Sequence, residues 1–222
     1  MIFRSDGRLD IYDPDGKRLV RNRECGIGNF CADAYRTVLD ADIGMVGGGS
    51  IRAALPEGDV TFNDVYTMFP FENGACRVTL TGELLLDVLE YSVVVAPAEF
   101  GGFMQVSGLR FEYDPSVPTP VKIDSKRTFM GIEGPRRVTK VEIFDRKSGA
   151  YLPLDPAATY TLAVSTYLAK DFGDGYTMMS RSLLVEDQGI LDTDVIQTYV
   201  ENYKDRHIGS EYAGPEGRIK AL

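Results

Sequence analysis

Apolar residues recur along the chain in two periods. Cys31, Ala34, Tyr35 and Val38 follow Asn29 at helical spacing, which predicts a helix capped by Asn29 and ended by Asp40-Ala41-Asp42. Leu84, Leu85, Val88 and Leu89 share one helical face behind Thr81, a second cap. Val195, Ile196, Tyr199 and Val200 do the same behind Thr193. Alternation at Leu109, Phe111 and Tyr113, at Val141 and Ile143, and at Tyr160, Leu162 and Val164 predicts half-buried strands. Ile43-Gly44-Met45-Val46 reads as a short buried strand broken by Gly47-Gly48-Gly49, and Arg77 to Thr81 as another strand. Pro115 to Pro135 is rich in proline and charge and reads as a surface excursion. Helical and strand patterns interleave with no internal repeat, so one mixed helix-and-sheet domain is expected over residues 1–222.

Composition narrows the function. The 222 residues suffice for a sizeable core. A net charge of −9 argues against a nucleic-acid or anionic-membrane surface. An anionic ligand therefore needs a local cationic pocket. Cys25, Cys31 and Cys76 form no CxxC pair and are expected as reduced core residues. No apolar run reaches the length of a membrane span. Met1-Ile2-Phe3 runs at once into Arg4, Ser5 and Asp6, without a signal-peptide pattern, which leaves a cytosolic protein or a piece of a longer one. The one histidine, His207, cannot build the multi-imidazole centre of a metallohydrolase.

Four stretches have candidate chemistry, and each also has a plainer reading. Gly47-Gly48-Gly49-Ser50-Ile51-Arg52 can bring backbone N–H groups and a guanidinium fork to an anion, or can simply be a tight turn. Pro70-Phe71-Glu72-Asn73-Gly74 can hold Phe71 out as a stacking platform, or tuck it into the core behind a hairpin. In Phe172-Gly173-Asp174-Gly175-Tyr176, Asp174 can accept from sugar hydroxyls or belong to a common Asp-Gly turn, with Tyr167 either a second ring or a core tyrosine. Lys17, Arg18, Arg21 and Arg23 can focus on an anion or form a solvated face.

The order of these stretches is more specific than any of them. Arg21-Asn22-Arg23-Glu24-Cys25-Gly26-Ile27-Gly28-Asn29-Phe30, with Asp33-Ala34 behind, resembles the opening motif of the 5'-nucleotidase C-terminal domain. Gly47 to Arg52 resembles that family's Gly-Gly-x-Ile-Arg loop. Val65-Tyr66, Pro70-Phe71-Glu72-Asn73, Leu80-Thr81-Gly82 with Leu89-Glu90, and Gly101-Gly102-Phe103-Met104-Gln105-Val106-Ser107-Gly108 resemble the next blocks. Gly173-Asp174-Gly175-Tyr176 and Glu216-Gly217-Arg218-Ile219 close the series. The resemblance runs from about Arg18 to Lys220.

The resemblance implies an α+β fold layered α/β/β/α. It also implies a family of ecto-5'-nucleotidases, UDP-sugar hydrolases and 2',3'-cyclic-nucleotide phosphodiesterases. In that family an N-terminal metallophosphoesterase domain holds two divalent, zinc-type metals and the catalytic histidine. The C-terminal domain binds the nucleoside and swings the phosphate to the metals. Carried onto this sequence, Arg21 and Arg52 contact anionic oxygens, with Gly48 and Gly49 in the adjoining loop. Phe71 is one ring of a base clamp, Asn73 a base-contacting amide and Asp174 the ribose acid. The second ring is expected six residues before that acid. Leu168 stands there, so Tyr167 is taken as the ring, with one residue inserted in Ala169-Lys170-Asp171-Phe172 and Phe172 as the fallback. Gly47 stands where many members have Asn, and Phe172 replaces the first Gly of Gly-Gly-Asp-Gly. Both departures bear on base preference.

The expected function is nucleotide or nucleoside binding for a metal-dependent 5'-nucleotidase. The chain alone is expected to be inactive and to carry no cofactor, and its partner is the N-terminal domain of the same protein. The family implies a periplasmic, secreted or cell-surface location, and no nucleic-acid or membrane contact is expected. A stand-alone nucleoside-binding or scaffold module is one alternative; a cyclic-nucleotide phosphodiesterase or UDP-sugar hydrolase domain is the other.

Overall fold

Successive residues of a strand point to opposite sides of its sheet, and this alternation divides the interior in two. The computed structural model describes residues 1–203 and 205–222. The chain runs through β1 (Phe3–Ser5), α1 (Gly26–Val38), β2 (Ile43–Gly47), β3 (Gly58–Val60), α2 (Phe62–Met68), β4 (Gly74–Thr81), α3 (Gly82–Ser92), β5 (Met104–Ser107) and β6 (Leu109–Tyr113). It continues through β7 (Val121–Ile123), β8 (Phe129–Ile132), β9 (Val138–Asp145), β10 (Ala150–Pro153), β11 (Thr159–Ser165), α4 (Thr166–Ala169), β12 (Leu184–Leu191), α5 (Asp192–Glu201), β13 (His207–Ile208) and β14 (Ile219–Ala221).

The central sheet has five strands in the order β12-β4-β11-β2-β5. Val46, Ala75 and Ala163 face one core with Ile27, Phe30 and Tyr35 of α1 and Val195, Ile196 and Val200 of α5. Met45, Cys76, Val78, Leu80, Leu162 and Val164 face the other, with Leu84, Leu85, Val88 and Leu89 of α3. That second core is shared with Leu109, Phe111, Val141 and Ile143 of a four-stranded sheet, β10-β9-β6-β14. The result is the α+β class and helix–sheet layering expected from the sequence. All three cysteines are free and buried. Among the described residues no helix is long and apolar enough to cross a membrane.

Strand direction sets where a ligand can bind. β11 and β2 are parallel neighbours and end at the same edge. β4 and β5, antiparallel to them, start there, and β12 ends there, with Leu191 opposite Gly74. The loops after β2 and β11, those before β4 and β5, and the start of α5 therefore meet at one end of the sheet, a common ligand position in open sheets.

The main departures from the sequence reading have steric causes. α1 starts at Gly26, not Asn29, with Cys25 as an N-cap that makes no side-chain cap bond. Gly26 and Gly28 are poor helix formers, but a Cβ on Gly26 would lie 1.9 Å from the Tyr212 carbonyl oxygen. Packing therefore overrides propensity, and Asn29 instead donates to Glu24 Oε1 at 2.8 Å. Thr81 caps α3 as expected, accepting the Leu84 N–H at 3.2 Å. α2 has no counterpart in the periodicity; a capping box between Thr61 and Asp64 starts it. The Pro115–Pro135 excursion contains the β7–β8 hairpin, whose Val121 and Phe129 are buried.

Candidate functional site

At that end of the sheet lies a cavity of about 580 Å³ lined by Arg21, Gly49, Ser50, Arg52, Phe71, Asn73, Gly101, Tyr167 and Asp174. Seven of the eight residues expected from the sequence are on its wall. Gly48 is not: it packs behind, where a Cβ would lie 2.0 Å from the Val20 carbonyl oxygen.

The glycine loop closes the wall by contacts within the chain. The Gly48 N–H donates to Phe103 O at 2.8 Å and the Gly49 N–H to Gly101 O at 2.7 Å. These two N–H groups are therefore not free to cradle an anion. The glycines instead permit close backbone approach. The cationic component comes from side chains. Arg52 Nη1 donates to Gly49 O at 3.3 Å, and its Cζ sits 5.7 Å from the Phe71 ring centroid. Arg21 Nε is buried without a hydrogen-bond partner. Burial, then the like charges of Arg18 and Arg52, pull the Arg21 pKa below the ordinary arginine value, against Glu99 and Asp174. Among the described residues neither Arg21 nor Arg52 has a carboxylate ion pair.

The two rings are presented differently. Phe71 is 56% exposed, which excludes the reading that tucks it into the core. Tyr167, on α4, is 37% exposed, and its hydroxyl accepts the Asp174 N–H at 3.1 Å. A Cβ on Gly173 would lie 2.2 Å from the Tyr167 ring, so the missing side chain makes room for the ring. Phe172, the fallback ring, packs against the second core and does not line the cavity. It and Asp174 take left-handed backbone angles, φ 54 and 50, which absorb the altered spacing. Burial pushes the Asp174 carboxyl above its usual range, opposed by Arg21 and a hydrogen bond with Tyr167. The Tyr91 hydroxyl holds the Asp174 carbonyl at 2.9 Å.

Gln105 belongs to a family motif that by itself assigns it no role. Its fully buried amide donates to Val20 O at 3.0 Å and Arg23 O at 2.7 Å, and its Oε1 accepts the Cys25 N–H at 3.3 Å. It therefore fixes the segment that carries Arg21. Of the basic cluster, only Arg21 reaches the cavity; Arg18 pairs with Glu99 at 3.4 Å and lies over Tyr12. Among the described residues no group of three His, Cys, Asp or Glu side chains could hold a metal ion. His207 pairs with Asp6 at 2.6 Å beside β1. This chain's residues therefore do not fit the metal centre of the wider family.

Residues 8–181 match the family described as 5'-nucleotidase, C-terminal domain, and the chain belongs to that family. An apyrase of Tabanus yao is 32% identical over 225 residues, covering 92% of this chain and 37% of the apyrase. The 5'-nucleotidase of Mus musculus is 29% identical, covering 96% of this chain and 36% of its own length. The solved 5'-nucleotidase precursor of Thermus thermophilus superposes with a TM-score of 0.81 at 30% identity, covering 100% of this chain and 39% of that one. The chain thus spans less than two fifths of the length of these relatives.

Proposed function

We propose that residues 1–222 form the substrate-binding domain of a 5'-nucleotidase-type phosphohydrolase and hold the nucleoside end of a nucleotide in this cavity. The supporting observation is convergence. Two exposed rings, a half-buried acid and two arginines without carboxylate partners, from four separate chain segments, line one 580 Å³ space. In this reading Phe71 and Tyr167 stack on the base, Asn73 reads its edge, Asp174 accepts from the ribose hydroxyls, and Arg21 and Arg52 neutralise anionic oxygens. Hydrolysis is assigned to an N-terminal metallophosphoesterase domain with two divalent metals of zinc type, so this chain binds without turnover.

Calorimetric titration of adenosine and AMP into wild type, Phe71→Ala and Tyr167→Ala tests the assignment. Wild type is expected to bind both, and each variant at least about fivefold more weakly, from the usual 1–3 kcal/mol of base stacking. No binding by wild type at millimolar ligand sinks the reading. Tighter binding of a UDP-sugar or a 2',3'-cyclic nucleotide than of AMP moves the substrate to those classes.

A further inference from the structure

Asp174 lines the cavity from a left-handed backbone, φ 50, two residues after Phe172 at φ 54. Residues with side chains adopt this region sparsely, so contacts from outside the loop must hold it there. Tyrosine hydroxyls hold Asp174 at both of its backbone groups. Its N–H donates to Tyr167 Oη at 3.1 Å, and its carbonyl accepts from Tyr91 Oη at 2.9 Å. Tyr167 lines the cavity; Tyr91, in the last turn of α3, does not. The proposed function therefore gives Tyr91 no role.

The packing around Tyr91 aims its hydroxyl. The ring is buried, with Phe100, Phe129 and Tyr176 edge-on to it at centroid distances of 5.5, 5.8 and 4.9 Å. The same hydroxyl donates to the Arg127 carbonyl at 2.5 Å. A phenol has one hydrogen, so the two carbonyls share it. Arg127 belongs to the turn between β7 and β8, and Asp124 Oδ1 organises that turn by accepting the Lys126 and Thr128 N–H groups, each at 2.8 Å. The turn lies directly against the Asp174 loop. A Cβ on Gly175, φ 88, would lie 2.3 Å from Tyr91 Oη and 2.5 Å from the Arg127 carbonyl oxygen, so glycine lets the two backbones meet around the hydroxyl. Thr177 Oγ1 adds a second tie to the hairpin, donating to Phe129 O at 2.5 Å. The Arg127 carbonyl alone would satisfy a buried phenol; the second contact falls on a cavity-lining acid.

We propose that Tyr91 is a positioning residue for Asp174: its hydroxyl pins the Asp174 carbonyl beside the β7–β8 turn and so fixes where the carboxylate stands in the cavity. The consequence for ligand rests on the nucleoside-binding reading above; the loop contact does not. Tyr91 itself touches no ligand. It keeps the loop in the conformation from which Asp174 accepts from ribose hydroxyls, and affinity falls in proportion as that conformation is less populated. Phe71, Arg21 and Arg52 stand on other segments, so a ligand without ribose hydroxyls does not feel the change.

The test compares adenosine with 2',3'-dideoxyadenosine, which lacks both ribose hydroxyls, by calorimetry in wild type and Tyr91→Phe. The variant keeps the ring and its contact with Phe100, whose N–H donates to the Arg21 carbonyl at 2.9 Å, and loses only the hydroxyl. It should bind adenosine about three- to tenfold more weakly than wild type, the range of one hydrogen bond. The dideoxy ligand should bind both proteins within about twofold. In an Asp174→Ala background, adding Tyr91→Phe should change adenosine affinity by less than about twofold, because the coupling runs through Asp174. Equal losses for the two ligands, or an undiminished effect of Tyr91→Phe without Asp174, would mean a general packing role and overturn the proposal. So would wild-type adenosine affinity in Tyr91→Phe. Amide hydrogen exchange of the free protein separates this from failure of the nucleoside reading. The Asp174 N–H should exchange at least about threefold faster in Tyr91→Phe, and unchanged exchange overturns the proposal on its own. Wild type that binds neither ligand sinks the nucleoside reading, and the exchange result then decides the loop contact.

Discussion

The string from Arg21 to Asp33 feeds two regions that treat charge in opposite ways. Behind α1, the acids Glu24 and Asp33 are both partnered. Glu24 accepts from Asn29 at 2.8 Å and from the Glu216 and Ile219 N–H groups at 2.6 and 3.1 Å. Asp33 takes both Arg218 Nη groups, at 2.7 and 2.9 Å, together with the Tyr212 hydroxyl. This region binds the C-terminal segment to the first helix. At the cavity, Arg21 and Arg52 repel each other and have no carboxylate partner among the described residues, while Phe71 and Tyr167 stay partly in solvent. Motif membership does not separate structural residues from ligand-facing ones. Satisfaction offers a criterion: charges completed within the chain hold the fold, and under the proposed function the charges left open at the cavity are the ones that meet a ligand.

The contrast can be broken at either end. The largest effect is expected for Arg218→Met, which leaves the partly buried Asp33 without its guanidinium. The loss should be about 3 kcal/mol in urea unfolding, toward the low end for broken buried pairs because both partners keep some exposure. Adenosine affinity should stay within about twofold where the variant is folded. Unchanged stability would mean that the partnered region is not structural. Phe71→Ala should do the reverse. It should lose the ~1–3 kcal/mol of stacking in a binding titration, with unfolding unchanged within about 0.5 kcal/mol. Gly173→Ala comes next. Its Cβ, 2.2 Å from the Tyr167 ring, must displace that ring, and adenosine affinity should fall about threefold to tenfold in calorimetry, given a clash of this depth. Wild-type affinity there would remove Tyr167 from the clamp. The smallest effect belongs to Arg52→Gln. AMP should bind a few times more weakly at low salt, with the difference shrinking as salt is added. Adenosine should be unaffected, and equal losses for AMP and adenosine would contradict an anion-facing Arg52.

Some of this is legible in residues alone. Thr81 announces α3 because its cap bond is local, and the periods behind Leu84 and Val195 declare their helices because one face of each must be buried. The start of α1 escapes the sequence pattern because the deciding contact, Gly26 against Tyr212, joins residues far apart in the chain. Motif spacing alone favours Tyr167 over Phe172. The structure packs Phe172 against the core and places Tyr167 over Gly173 on the cavity wall. Gln105 and Tyr91 give no signal, since a lone amide or hydroxyl acquires meaning only from the backbone groups around it.

By itself the sequence determined the class of the fold, the order of the family motifs and the shortage of imidazoles, all of which depend on residue type and short-range spacing. Tertiary structure decided which weak loops share a cavity and which arginines have no carboxylate partner among the described residues. The reason is strand direction. Parallel β2 and β11 end where antiparallel β4 and β5 begin, and no local pattern in any of those segments records that they meet.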